Sequence, residues 1–156
     1  HMMFTNVSGK FDQYDGTIET QENDFTTAVI SFSALIDSID TRNKDRDNHL
    51  KSVDFFDAEN YPKLTFAGKS FSKIDENNYE LIGDLSIKNA TKEVKLPVEF
   101  SGLMQDPWGN TKVGLNIEGK INRKDWGLNW NSALETGGVL VGEEVKLTID
   151  LQLVKS

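Results

Sequence analysis

From Tyr79 onward, apolar and polar residues alternate with a period of two. Tyr79, Leu81, Gly83, Leu85 and Ile87 fall on one face, with Glu80, Asp84, Ser86 and Lys88 on the other. Val94, Leu96, Val98 and Phe100 repeat the pattern against Glu93, Lys95 and Glu99. Val113, Leu115, Ile117 and Ile121 oppose Lys112, Asn116, Glu118 and Lys120, and Val145, Leu147, Ile149, Leu151 and Leu153 oppose Lys146, Thr148, Asp150 and Gln152. Successive side chains of a strand point to opposite faces, so this is the pattern of strands buried on one side. A helix, with its period of about 3.6 residues, would scatter the same apolar residues around its circumference. Runs rich in turn formers separate the strands: Glu76-Asn77-Asn78, Asn89-Ala90-Thr91 and Asp106-Pro107-Trp108-Gly109-Asn110.

Three weaker strand segments precede these: Gly9 to Thr20, Ala28 to Asp37 with Ile30, Phe32, Ala34 and Ile36 on one side, and Lys63 to Lys73 around Phe66. In the first, Phe11 and Ile18 have opposite parity, so a bulge near Asp15 and Gly16 is expected. Two segments interrupt the alternation. Thr41 to Pro62 carries a helix start capped by Asp40 or Thr41, charged turns as far as Leu50, then Phe55, Phe56, Tyr61 and Pro62. A long excursion of this kind is either a lid over a barrel's open end or a surface helix anchored by aromatics. Lys124 to Thr136 places Trp126, Trp130, Ala133 and Leu134 at helical spacing ahead of Gly137 and Gly138.

Consecutive hairpins with one apolar face form a meander, and closing it removes the exposed edges. The expected fold is therefore all-β, an antiparallel barrel with short helical segments around 42–52 and 124–136. A barrel of about eight strands holds either a packed core or one small ligand. Seven strands are read here, which leaves the barrel one short. Its start at His1-Met2-Met3 reads either as a vector-derived His-Met or as a beginning inside a longer protein.

A chain of 156 residues fits a single domain, residues 1–156, and its 10% aromatic and 37% apolar content is that of a folded protein. With 25 acidic against 17 basic residues, the net charge of -8 opposes binding to nucleic acid. The chain has no cysteine, hence no disulfide, thiol nucleophile or thiolate metal site. No apolar run approaches the roughly 18 residues of a membrane span. Nor is there a basic start followed by an apolar leader, so a periplasmic location would require prior removal of a signal peptide and the location is otherwise cytoplasmic.

Neither a phosphate loop with its lysine nor a G-x-S-x-G elbow is present. His1 is terminal, and His49 sits among charges in a helix-anchoring or solvent-facing position. Asp45, Asp47 and His49 lie at i, i+2 and i+4, which does not gather three metal ligands on one helical face. The carboxylate pairs Glu143/Glu144 and Asp54/Asp57 read as solvated surface, and Arg123, Lys124 and Asp125 as a small ion-pair cluster in which Asp125 caps a helix. No catalytic residue, metal or cofactor is expected. Phe32, Phe55, Phe56, Phe66, Phe100, Trp126 and Trp130 come from strands and from both irregular segments. A barrel directs them inward, to form either a solid core or a wall for a long hydrocarbon.

Several motifs are familiar. The run from His1 to Phe11, the pattern Arg46-Asp47-x-His49-Leu50-Lys51, Asp54-Phe55-Phe56-Asp57 and Tyr61-Pro62 resemble the YceI-like family of polyisoprenoid-binding proteins. So do Gly83-Asp84-Leu85-Ser86-Ile87 followed by Thr91-Lys92, the Asp106-Pro107-Trp108-Gly109 turn, and Ile121 to Leu128. The resemblance spans essentially the whole chain. It implies a lipocalin-like barrel of about eight antiparallel strands around an elongated apolar pocket for an isoprenoid, often in a dimer, and it supplies no catalytic motif. It also implies a further strand ahead of His1, so that Gly9 to Thr20 and Glu143 to Lys155 would flank an open seam.

The resulting expectation is a non-enzymatic carrier or reservoir whose partner is an isoprenoid or fatty lipid, such as a polyprenyl chain or a quinone tail. Strand parity assigns Phe32, Ile36, Phe66, Leu85, Phe100, Leu115 and Ile117 to the wall of an elongated tunnel. Phe55, Phe56, Trp126 and Trp130 would close or line its ends. The alternatives are an enzyme using Arg46, His49 and Asp54 at the mouth, and a packed barrel that binds a protein partner.

Overall fold

The computed structural model describes residues 8–21, 24–131 and 142–154. Two short strands, β1 (Lys10–Phe11) and β4 (Ile39–Asp40), pair with each other. The helix α1 (Lys44–Lys51) follows β4. Strands β2 (Tyr14–Gln21), β3 (Asp24–Leu35), β5 (Lys63–Lys73), β6 (Asn78–Ile87), β7 (Ala90–Gln105), β8 (Thr111–Asn122) and β9 (Glu144–Val154) form one antiparallel sheet of seven, in the order β2-β3-β5-β6-β7-β8-β9. The sheet is a half-barrel, with β2 and β9 at its edges.

Residues directly opposite one another in a ladder share a face, so the register defines the inner wall. One row runs Gly16, Phe32, Phe66, Leu85 and another Tyr79, Val98, Ile117, Ile149, with Leu81 beside Leu96 between them. Ile30, Phe66, Leu81, Leu96, Val98 and Ile117 are each only 1% exposed. Full burial of such side chains stabilises the sheet by about 1.5–3 kcal/mol apiece. Phe66 stacks on Phe32 with centroids 4.9 Å apart. Gly83 makes room for that ring, because a Cβ there would collide with it and with the backbone of Ala67 and Gly68.

The structure departs from the sequence expectation at several joints. No bulge occurs at Asp15 and Gly16, where the β2–β3 ladder is regular from Tyr14 to Glu19. The parity change occurs earlier, where the chain leaves β1 and the amides of Asp12 and Gln13 bond to Ser38. Phe11 thereby reaches Phe56 edge-on, at 6.2 Å. The strand read as ending at Asp37 stops at Leu35, so Ile36 opens a 3₁₀ turn, Ile36–Ser38. The turn after β6 consists of Lys88 and Asn89, with Lys88 at φ 56, while Ala90 and Thr91 already pair in β7.

The helix expected around 124–136 is a 3₁₀ turn, Arg123–Trp126, that Gly127 ends at φ 78. Asn122, not Asp125, caps it by accepting from Lys124 N at 3.0 Å. Residues 132–136, with Ala133 and Leu134, and the glycines at 137 and 138 lie outside the described residues, as do residues 1–7. The helix expected at 42–52 is α1, capped by Asn43 instead of Asp40 or Thr41. Thr41 is instead 5% exposed and accepts from Arg46 Nε at 2.9 Å.

Candidate functional site

The concave side of the sheet is one apolar surface closed at the Ile87 end by two irregular segments. Phe66, Leu85, Leu115, Ile117 and Trp126 belong to a single buried cluster, with Phe32, Phe56 and Phe100 packed against it. Phe100 also meets Tyr79, which stacks on Phe71 with centroids 4.7 Å apart. Phe71 and Tyr79 therefore join this wall, although the sequence-based list of wall residues omits both. Ile36 is buried in its 3₁₀ turn, apart from that cluster.

Trp126 crosses the end of the sheet, 2% exposed, and its Nε1 donates to the Leu85 carbonyl at 2.8 Å. That bond fixes the indole as an end wall, since a buried carbonyl left unpaired is costly. Phe55, from the turn after α1, meets Trp130 at 5.4 Å, and His49 packs edge-on against both rings, at 5.1 and 4.5 Å. His49 Nε2 lies 2.9 Å from Asp54 Oδ2. Arg123, 4% exposed, sets its guanidinium 6.0 Å from the Phe55 ring centre and donates to the carbonyls of Gly142, Leu128 and Trp130. Of the small ion-pair cluster expected at Arg123, Lys124 and Asp125, Arg123 is thus a buried tie between backbone segments. Lys124 is the residue that pairs outward, 2.7 Å from Glu143, and this ammonium holds the Glu143 carboxyl below its ordinary value.

A second polar set ties α1 to the sheet. Asp47 accepts from both the amide and the hydroxyl of Thr41, and Arg46 Nη2 donates to the Thr41 carbonyl at 2.6 Å. The Thr41 hydroxyl bond keeps the Asp47 carboxyl below its ordinary value against an opposing contribution from desolvation. Arg46, His49 and Asp54 therefore do not converge on a common reacting point: Arg46 is committed to Thr41, and His49 and Asp54 to each other. What the whole arrangement offers is apolar area walled by aromatics, with polar groups confined to its closing segments. Strand parity puts Phe32, Phe66, Leu85, Phe100, Leu115 and Ile117 on one buried face, but gives no sign of Arg123, whose burial no local pattern signals.

The sequence profile of the YceI-like domain matches residues 1–153. A UPF0312 protein of Staphylococcus aureus strain MSSA476, SAS2572, is 44% identical over 147 residues, which cover 94% of this chain and 83% of that protein. The crystal structure of a Campylobacter jejuni YCEI protein, described as crystallising with large solvent channels, superposes with a TM-score of 0.88 at 29% identity, over 100% of this chain and 89% of that one. Burkholderia cenocepacia BcnA, at 21% identity, shares the fold with a TM-score of 0.78 over 93% of this chain and 86% of its own.

Proposed function

The chain belongs to the YceI-like family, and on that premise we propose that it binds an isoprenoid or similar long-chain apolar lipid without transforming it, as a carrier or reservoir. The observation that carries this reading is the continuity of the inner face. Apolar side chains follow one another across the ladders from Ile30 to Ile149, and Trp126 closes the end. A hydrocarbon needs such area and few hydrogen bonds, and each Å² of it withdrawn from water contributes about 25 cal/mol. The centre of the face is packed, so a chain lies along it only where side chains move aside. Phe32, Phe56 and Phe100, half-buried aromatics at the border of the cluster, are the side chains whose displacement this would require. The expected tunnel is thus a proposal tied to binding. Phe55 and Trp130 would close its end, while the mutual pairing of His49 and Asp54 favours a structural role for them over turnover.

Titration with geranylgeraniol, followed by the intrinsic tryptophan emission, tests the reading. Saturable binding is expected in the unsubstituted protein. In Phe100→Glu the new carboxylate meets an apolar wall without a partner, which costs at least about 1–3 kcal/mol and weakens binding about tenfold or more. Circular dichroism verifies that the variant is folded. An absence of saturable binding, or unchanged affinity in folded Phe100→Glu, would sink the proposal.

A further inference from the structure

The β7–β8 hairpin runs past its neighbour. β6 pairs with β7 only as far as Glu99, whereas the β7–β8 ladder continues to Gln105 and Thr111, with the turn of residues 106–110 at its tip. Leu103 and Met104 are 59% and 62% exposed and Trp108 82%, so large apolar side chains crowd a part of the sheet that β6 does not flank. Leu103 stands opposite Val113 and so continues the inner face beyond Phe100 and Leu115, whereas Met104, opposite Lys112, belongs to the outer face. Trp108 lies at the apex between them. A globular partner covers one side of a hairpin, but apolar groups on both sides and at the apex suit a medium that surrounds the tip.

The backbone of the turn is prepared for such a medium. A chain entering lipid must satisfy its own amides, for no water is there to do so. The amide of Asp106 donates to the Asn110 carbonyl at 2.9 Å and that of Gly109 to the Asp106 carbonyl at 3.0 Å. Those of Trp108 and Asn110 donate to Asp106 Oδ1 at 2.9 and 2.8 Å, and Pro107 has no N–H. Every amide of the turn is thus engaged within it. The Asp106 carboxylate is itself only 9% exposed and stands 3.8 Å from Lys112 Nζ. Residues 103–112 therefore have no net charge, in a chain whose net charge is -8. At the same end of the sheet the β5–β6 turn carries Asp75 and Glu76, which confines the contact to the hairpin and favours a neutral surface over an anionic one.

We propose that the β7–β8 tip docks on the interfacial region of a neutral lipid bilayer, with Trp108 at headgroup depth and Leu103 and Met104 beside it. An indole suits that depth because its ring is apolar while its N–H still reaches water. The docking stands on the tip's own geometry and rests on the carrier reading only for its purpose: the inner face, continued by Leu103, leads from the bilayer to Phe100 and the buried wall.

The test is co-sedimentation with phosphatidylcholine vesicles that contain no isoprenoid, for the unsubstituted protein and for a variant combining Met104→Gln and Trp108→Gln. Both positions are exposed, so the variant should fold, which its melting curve verifies, and Trp108→Gln alone should act in the same direction. Neither residue lines the inner face, so the affinity for geranylgeraniol in the absence of vesicles should be unchanged. Partition into the vesicles is expected for the unsubstituted protein, about tenfold or more weaker in the variant. It should also weaken at low ionic strength when phosphatidylglycerol replaces about half of the neutral lipid. Equal partition of the two proteins, or partition that requires the anionic lipid, overturns the docking. No partition by either protein overturns it as well and leaves the carrier reading to the geranylgeraniol titration; self-association that the variant then lacks would assign the tip to a second copy of the chain. Partition by way of the tip without geranylgeraniol binding upholds the docking and removes the carrier reading.

Discussion

Arg123 donates from Nε to the Gly142 carbonyl at 2.8 Å and from Nη1 to the carbonyls of Trp130, at 2.9 Å, and Leu128. One planar guanidinium thus joins the segment that carries Trp126 and Trp130 to the start of β9. Lysine cannot reproduce this: its ammonium is a single point on a flexible stem and does not span diverging carbonyls. Arg123→Lys is therefore expected to lose about 2 kcal/mol or more, because buried acceptors are left without donors. The measurement is a urea titration, whose midpoint should fall while its slope is unchanged. An unaltered midpoint would show that the segment holds its place without the fork. At the same scale Gly83 shows why a residue with no side chain occupies an apolar strand position: the space a Cβ would take belongs to the Phe66 ring.

Among the elements, α1 is short and charged, and none of its residues is buried. Its attachment therefore rests on hydrogen bonds, chiefly those between Asp47 and Thr41, together with the packing of His49 on Phe55 and Trp130. Since folding holds the Asp47 carboxyl below its ordinary 3.8, the unfolded chain takes up the proton first as pH falls. The stabilisation is complete above 3.8 and is lost on acidification below it. Asp47→Asn should be less stable than the unsubstituted protein at neutral pH, with a flatter loss of stability below 3.8. Thermal melts across pH 3 to 7 compare the two, and parallel curves would refute the assignment. The same contrast explains what could be read from sequence. Strands β6 to β9, and the wall that they form, follow from a period of two that burial enforces along each strand. The joints do not: Thr41 is taken up by Asp47 and Arg46, which leaves the cap of α1 to Asn43, and Gly127 ends the 3₁₀ turn by bonding back to Arg123 and Lys124, local choices that a period of two does not encode.

At the scale of the molecule, a net charge of -8 opposes compaction. Against it stand ion pairs such as Lys10–Asp12 and Lys120–Glu144, whose side chains are more than half exposed and which contribute little each. Salt weakens both the repulsion and the pairs, so the direction of its effect depends on which is larger. The excess of like charge extends over the whole surface, whereas each pair is local and already screened by water. Repulsion should therefore dominate, and stability should rise as ionic strength increases from about 0.01 to 0.15 M, over which the screening length shortens from about 30 to 8 Å. Relief of about 1 kcal/mol corresponds to an increase of roughly 2–4 °C in melting temperature for a chain of this size. The affinity for geranylgeraniol, which carries no charge, should meanwhile stay nearly constant across the same salt series. A melting temperature that falls with salt would show that the pairs outweigh the repulsion.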